Sequence, residues 1–198
     1  MSNAYRVTAL GMHNNFRSVV ATGRMRNGEY RNENAPPSSR MDLLVYDCGA
    51  EQHAFNHVRG CSAQPSIPIA RPGYSENIHV LRTTATDDLG ALQNAIVTWY
   101  NELPGNGIPS NMIFTYAVAT RTRRTVRNVA KILWGTNRRV GCATMRCATF
   151  FFTSCLYQKF SERYRTKYLH HRRCLFSMSQ WHQQLQPSNW TVFLELNQ

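Results

Sequence analysis

The chain has 198 residues, 42% of them apolar, and a formal net charge of +12 from 23 Lys+Arg against 11 Asp+Glu. That length holds one domain, or one domain with an appendage, and the apolar content suffices for a packed core, which excludes a disordered chain. No apolar run reaches the ~18 residues of a membrane-crossing helix, and six cysteines are many for a reducing cytosol.

The opening segment MSNAYRVTALGMHNN lacks the charged-then-apolar layout of a signal peptide. The cysteines point the other way, to an oxidising compartment and disulfides. They stay in the fold and carry more weight, so the expected location is extracellular. Six cysteines leave the connectivity open.

The first predicted helix spans Tyr5 to Thr22, with Leu10, Phe16, Val19 and Val20 on its apolar side and Gly23 at its C-terminus. Its His13, Asn14 and Arg17 read as a polar helix face. A loop with Pro36-Pro37 leads to a second helix from Asp47 to Gly60. Asp47 suits its N-cap, and Glu51 suits the positive end of its dipole. Ala50, Ala54 and Val58 form its inner face. His53 and His57 are four apart, but zinc needs further ligands, and the pair reads as solvated surface histidines.

Three prolines mark the loop from Ser62 to Tyr74, and Ser75 to Val80 reads as a short ordered piece. A third helix is predicted from Asp87 to Leu103. Its stripe is Leu89, Leu92, Ile96, Trp99, Tyr100 and Leu103, and Pro104-Gly105-Asn106-Gly107 ends it. Ile108 to Thr120 reads as a loop. Arg127 to Trp134 has helical spacing, stopped by Gly135 and Asn137. Two β-type runs follow, Arg139 to Met145 and Thr149 to Tyr157. Trp134, Val140, Cys142 and Cys155 are the expected anchors of this core unit. Helices flanking a late β-unit make the fold class α+β.

The stretch from Arg121 to Arg139 holds seven basic residues and no acid: Arg121, Arg123, Arg124, Arg127, Lys131, Arg138 and Arg139. It reads as a solvated basic face or as a polyanion surface, for which glycosaminoglycan is the fitting ligand of a secreted chain. Aromatic residues are not interleaved as single-strand binders require, so no nucleic acid is expected. No Ser–His–Asp or Cys–His arrangement and no Gly-rich phosphate loop is recognisable, which gives enzyme chemistry no support.

An ordered set of segments resembles the CAP superfamily: cysteine-rich secretory proteins, antigen 5 and plant pathogenesis-related proteins. The nematode activation-associated secreted, or venom-allergen-like, branch is the most similar. The segments are His13-Asn14-x-x-Arg17, NAPPSSRM with LVYDCGAE, RPGYSENI, AIVTWYNEL, and ILWGTNRRVGCATMRC with FFFTSCLY. The resemblance covers residues 5–160. It implies a three-layer α-β-α sandwich with a central cleft, in which Cys48, Cys61, Cys142, Cys147 and Cys155 are structural.

Many members of that family line the cleft with two Glu and two His that can hold zinc. The Glu positions match Glu76 and Glu102 here, but the His positions fall on Pro65 and Asn128. Proline offers no ligand and an Asn carbonyl is a poor one beside imidazole. The expectation is a carboxylate pair that does not hold zinc tightly, no cofactor, and no catalysis. A host protein or receptor is the partner that the resemblance implies, with lipid or sterol as an alternative.

Residues 161–198 do not continue the resemblance and are expected to be a poorly ordered tail. Within them, Lys167 to Gln186 can be back-translated and read one nucleotide later as NIYTIGGVCSQCPNGTSNC, which resembles the end of nematode members. A one-nucleotide shift near Lys167 is therefore expected, and Cys174 is expected to lack its proper partner.

Overall fold

The computed structural model describes residues 1–159. What is expected of residues 161–198, the frame shift and Cys174 included, lies outside the described residues.

Helix starts follow the local cap chemistry. α1, Asn3–Ala21, opens where the Ser2 hydroxyl accepts from the Tyr5 N–H at 3.1 Å. It closes at Gly23, whose φ of 69° is the left-handed conformation that a helix C-terminus favours. α2, Cys48–Val58, is capped by Asp47, which accepts from the Gly49 and Ala50 amides. α3, Asp88–Tyr100, is capped by Asp87 through the Gly90 amide. The stripe expected to run unbroken to Leu103 is split. α3 ends at Tyr100, and the short α4, Glu102–Asn106, carries Leu103 on. Pro104 fits the first turn of α4, where its missing N–H has no intrahelical acceptor. A further short helix, α5, Tyr116–Ala119, lies in the segment expected as a loop. α6, Arg127–Leu133, stands where the spacing predicts it.

The sheet has four strands: β1 Val45–Tyr46, β2 Tyr74–Leu81, β3 Asn137–Arg146 and β4 Phe151–Lys159. Their order is β1-β3-β4-β2, with β1 parallel to β3 and the other pairs antiparallel. β3 and β4 are the predicted hairpin. The short piece at Ser75 to Val80 is an eight-residue strand along β4.

Strand alternation separates two helical layers. Ala143, Phe152 and Leu156 face Ala50, Ala54 and Val58 of α2. Val140, Cys142, Cys155 and Tyr157 face the other way, into the core of α1, α3 and α6. The result is the α-β-α sandwich. Gly141 lets α2 sit close to β3, because a Cβ there would run into the backbone of Asp47 and Glu51. Two disulfides pin the layers. Cys61–Cys147 ties the end of α2 to the end of β3, and Cys142–Cys155 bridges β3 and β4. Cys48 is also disulfide-bonded.

Two expectations need correction. Trp134 is 37% exposed, edge-on to Phe114, whereas Val140, Cys142 and Cys155 are fully buried. Trp134 closes α6, beyond the turn that packs inward. The supposed polar face of α1 is an inner one: His13 and Arg17 are fully buried. Positions 5, 9, 13 and 17 share one side of the helix, so Tyr5 and Ala9 already mark it as inward.

Candidate functional site

Glu76 on β2 and Glu102 on α4 come into one region through α6, which packs against both elements. The two carboxylates are held differently.

Glu76 is a hub. Its side chain is 2% exposed. Oε1 accepts from His57 Nδ1 at 2.7 Å and Ser154 Oγ at 2.8 Å. Oε2 accepts from the Ser66 amide and hydroxyl, both at 2.8 Å, and Arg71 Nε lies 3.5 Å away. Desolvation disfavours its charge, but the Ser66 and Ser154 hydrogen bonds and the His57 interaction outweigh that and hold its pKa below the usual value. Glu76 thus pins the 62–74 loop, α2 and β4 to one point. His57, expected as a solvated histidine, has a side chain only 13% exposed and sits edge-on to Phe152. Its place beside Ala54 and Val58 on the flank of the inner face is the signal in the sequence. His53 stays half-buried, tilted against Tyr74.

Glu102 is a cap supplied from another element. The α6 N-cap, Val126, makes no side-chain cap bond. Glu102 Oε2 accepts from the Asn128 and Val129 amides at 2.9 and 3.0 Å, and Oε1 from Asn128 Nδ2 at 2.7 Å. These are orphan donors of a helix N-terminus, where negative charge is favoured. Desolvation is the largest influence and leaves its pKa raised despite those bonds. Asn77 completes the link, donating to the Asn128 carbonyl at 3.0 Å.

The donors do not fit a divalent ion. Every carboxylate oxygen of the pair already accepts from the protein's own N–H or O–H groups. Asn128 turns its amide nitrogen to Glu102, and Pro65, in the exposed 62–74 loop, has no ligand atom. A site for zinc needs about four free N, O or S ligands. Among the described residues, the grouping of His13 with Cys142 and Cys155 is a histidine beside a disulfide, with no thiolate to offer. His13 is itself engaged: Nδ1 donates to the Ala9 carbonyl at 2.7 Å and Nε2 accepts from the Tyr157 hydroxyl at 2.9 Å.

Most basic residues of the 121–139 stretch are engaged by the protein itself. Arg121 pairs with Glu29 and donates to the Gly107 carbonyl. Arg124 reaches Glu29 and the Gly28 and Asn106 carbonyls. Arg127 donates to the Ala119 and Arg121 carbonyls. Arg138 pairs with Asp42 and Arg139 with Asp47. Arg123 is exposed. Lys131 leaves this set altogether: it is half-buried beside Glu76, donating to the Glu76 backbone carbonyl at 2.6 Å. No sequence spacing signalled that, because its partner lies 55 residues away.

Arg17, read from the sequence as part of a polar face, ties α1 to the far end of α6. It donates to the carbonyls of Ile132, Trp134 and Asp42. Asn14 exchanges two hydrogen bonds with the Leu44 backbone. A cavity of about 580 Å³ lies elsewhere, lined by Met1, Tyr5, Asp87, Asp88, Arg146 and Phe151 among others, and shares no residue with the Glu76–Glu102 site.

Residues 10–157 match the profile of the Cysteine-rich secretory protein family. Ancylostoma secreted protein of Ancylostoma caninum is 34% identical over 157 residues, which cover 79% of this chain and 37% of that protein. Hookworm platelet inhibitor 1 of the same organism is 27% identical over 146 residues, 74% of this chain and 59% of that protein. The chain therefore spans less than two thirds of either relative. Among solved structures, that of NaASP2 with Zn2+ superposes with a TM-score of 0.75 at 30% identity, covering 79% of this chain and 80% of that one.

Proposed function

The chain belongs to the cysteine-rich secretory protein family, and from that premise we propose that it is a secreted protein that works by binding a host protein or receptor, without catalysis and without a metal. The observation that carries this reading is the state of the two carboxylates. A general acid or base must present a free oxygen to a substrate. Here Glu76 spends its oxygens on His57, Ser154 and Ser66, and Glu102 on the start of α6. The pair is used to hold the fold, and surfaces remain to do the work.

The relatives support the same direction. One is a secreted protein of a hookworm and another is named for platelet inhibition. Next to the Glu76 hub, the 3-10 turn Pro68–Ala70 and its approach present Ile67 and Ile69, 65% and 83% exposed. These exposed apolar residues lie beside Ser66, which Glu76 holds by two hydrogen bonds, and they are the contact residues of this reading.

The test is interferometry of the secreted protein against host receptor ectodomains and plasma proteins, in EDTA. Lipid vesicles and heparin are run on the same sample. The expected outcome is saturable, EDTA-insensitive binding to one protein, weakened at least about tenfold by Ile69→Asp. Binding confined to vesicles, to heparin or to zinc-containing buffer overturns the proposal.

A further inference from the structure

Glu76 is buried and Glu102 half-buried in one region, and a carboxylate withdrawn from water needs positive charge close by. The charge comes from α6. Asn128 and Lys131 are three residues apart on that helix and so share a face. Asn128 serves Glu102, and Lys131 serves the backbone of Glu76 at 2.6 Å. Arg71 adds a second cation, 3.5 Å from Glu76 Oε2 and fixed by the Ser66 hydroxyl and the Tyr74 carbonyl. The same face of α6 therefore satisfies one carboxylate and brings an ammonium to the backbone of the other glutamate. Lys131 closes no direct ion pair among the described residues, and its ammonium is placed by the hydrogen bond to the Glu76 carbonyl.

We propose that Lys131 is the resident cation of the Glu76–Glu102 site, supplying with its ammonium the charge compensation that a bound divalent ion would bring, and thereby setting the site against divalent cations. This rests on the metal-free reading above and goes beyond it by naming the residue responsible. Burial, with the nearby Arg71 and Arg127, holds the Lys131 pKa below its usual value, while Glu102 and Glu76 favour its charged form. A divalent ion would have to enter against that ammonium. It would also have to take oxygens from Ser66, Ser154, His57 and the α6 amides. Restoring a ligand alone is thus not enough; the cation has to leave as well.

The experiment titrates zinc chloride into five proteins by calorimetry: the wild type, Lys131→Gln, Asn128→His, Asn128→His with Lys131→Gln, and Asn128→His with Lys131→Arg. Near-ultraviolet circular dichroism checks the fold of each. The wild type is expected to show no site heat. The double variant with Gln is expected to bind at least about tenfold more tightly than Asn128→His, while the one with Arg, which keeps the charge, stays at the Asn128→His level. Thermal midpoints give a second readout: zinc raises that of the Gln double variant and leaves the Arg one unchanged. If the wild type binds zinc tightly, the metal-free reading falls and this inference with it. If the wild type does not bind and Gln at 131 fails to tighten Asn128→His, the Lys131 assignment alone falls. If the Gln variants do not fold, tightening in the Arg variant still overturns the assignment.

Discussion

His13 is the residue where burial decides most. It lies fully inside α1, and desolvation pushes its pKa down to about 4, with Arg17 adding to that and the Ala9 carbonyl resisting it. The unfolded chain has an ordinary histidine near 6.5. Between those values the unfolded state binds a proton that the folded state refuses. His13 therefore contributes stability that is present above pH 6.5 and lost as pH falls towards 4. The shift corresponds to about 3 kcal/mol across that window. Glu102, with its raised pKa, acts in the opposite sense, losing stability as pH rises through its folded value. Urea unfolding of the wild type and of His13→Gln, followed from pH 7 to pH 4, isolates the histidine. The wild type is expected to lose about 3 kcal/mol more than the variant over that range, and parallel curves would refute the assignment. The identity of this residue was legible, as part of His13-Asn14-x-x-Arg17. Its burial was missed because polar type was weighed above the spacing shared with Tyr5 and Ala9.

Among elements, α6 shows best how a short helix is held by others. Seven residues are too few to be stable alone. Its inner residues Val129, Ile132 and Leu133 are buried, Arg17 takes carbonyls at its end, and Glu102 satisfies amides at its start. Glu102→Ala is expected to cost about 1–2 kcal/mol in urea unfolding, the range of a lost N-cap, and Glu102→Gln clearly less, since the amide oxygen still accepts. Equal losses would mean that the charge rather than the cap matters. The helices α1, α2 and α3 and the β3–β4 hairpin were readable because periodicity and caps are local signals. β1 has two residues, too short for any pattern, and β2 was read only as an ordered piece, since its pairing with β4 is a long-range choice. α4 was merged into α3 because the apolar stripe runs on across the break at Asn101.

At the scale of the whole molecule, the site is a meeting of distant segments, which limits what spacing reveals. The positions of Glu76, Glu102, Pro65 and Asn128 came from the resemblance. The partners that define their role did not: His57, Ser66, Ser154 and Lys131 come from α2, a loop, β4 and α6. Part of the net charge of +12 likewise meets long-range partners. Within the run, Arg121 and Arg124 pair with Glu29, Arg138 with Asp42 and Arg139 with Asp47. What emerges is a sandwich whose two cleft carboxylates are engaged by the protein's own donors, Glu76 by His57, Ser66 and Ser154 and Glu102 by the start of α6. A ligand bound only by the folded state raises its thermal midpoint by mass action, so the direct measurement is the unfolding midpoint of the wild-type protein in EDTA and in excess zinc. The account predicts the same midpoint in both, within about 1 °C. A rise of several degrees in zinc, about 1 kcal/mol or more of stabilisation, would contradict it.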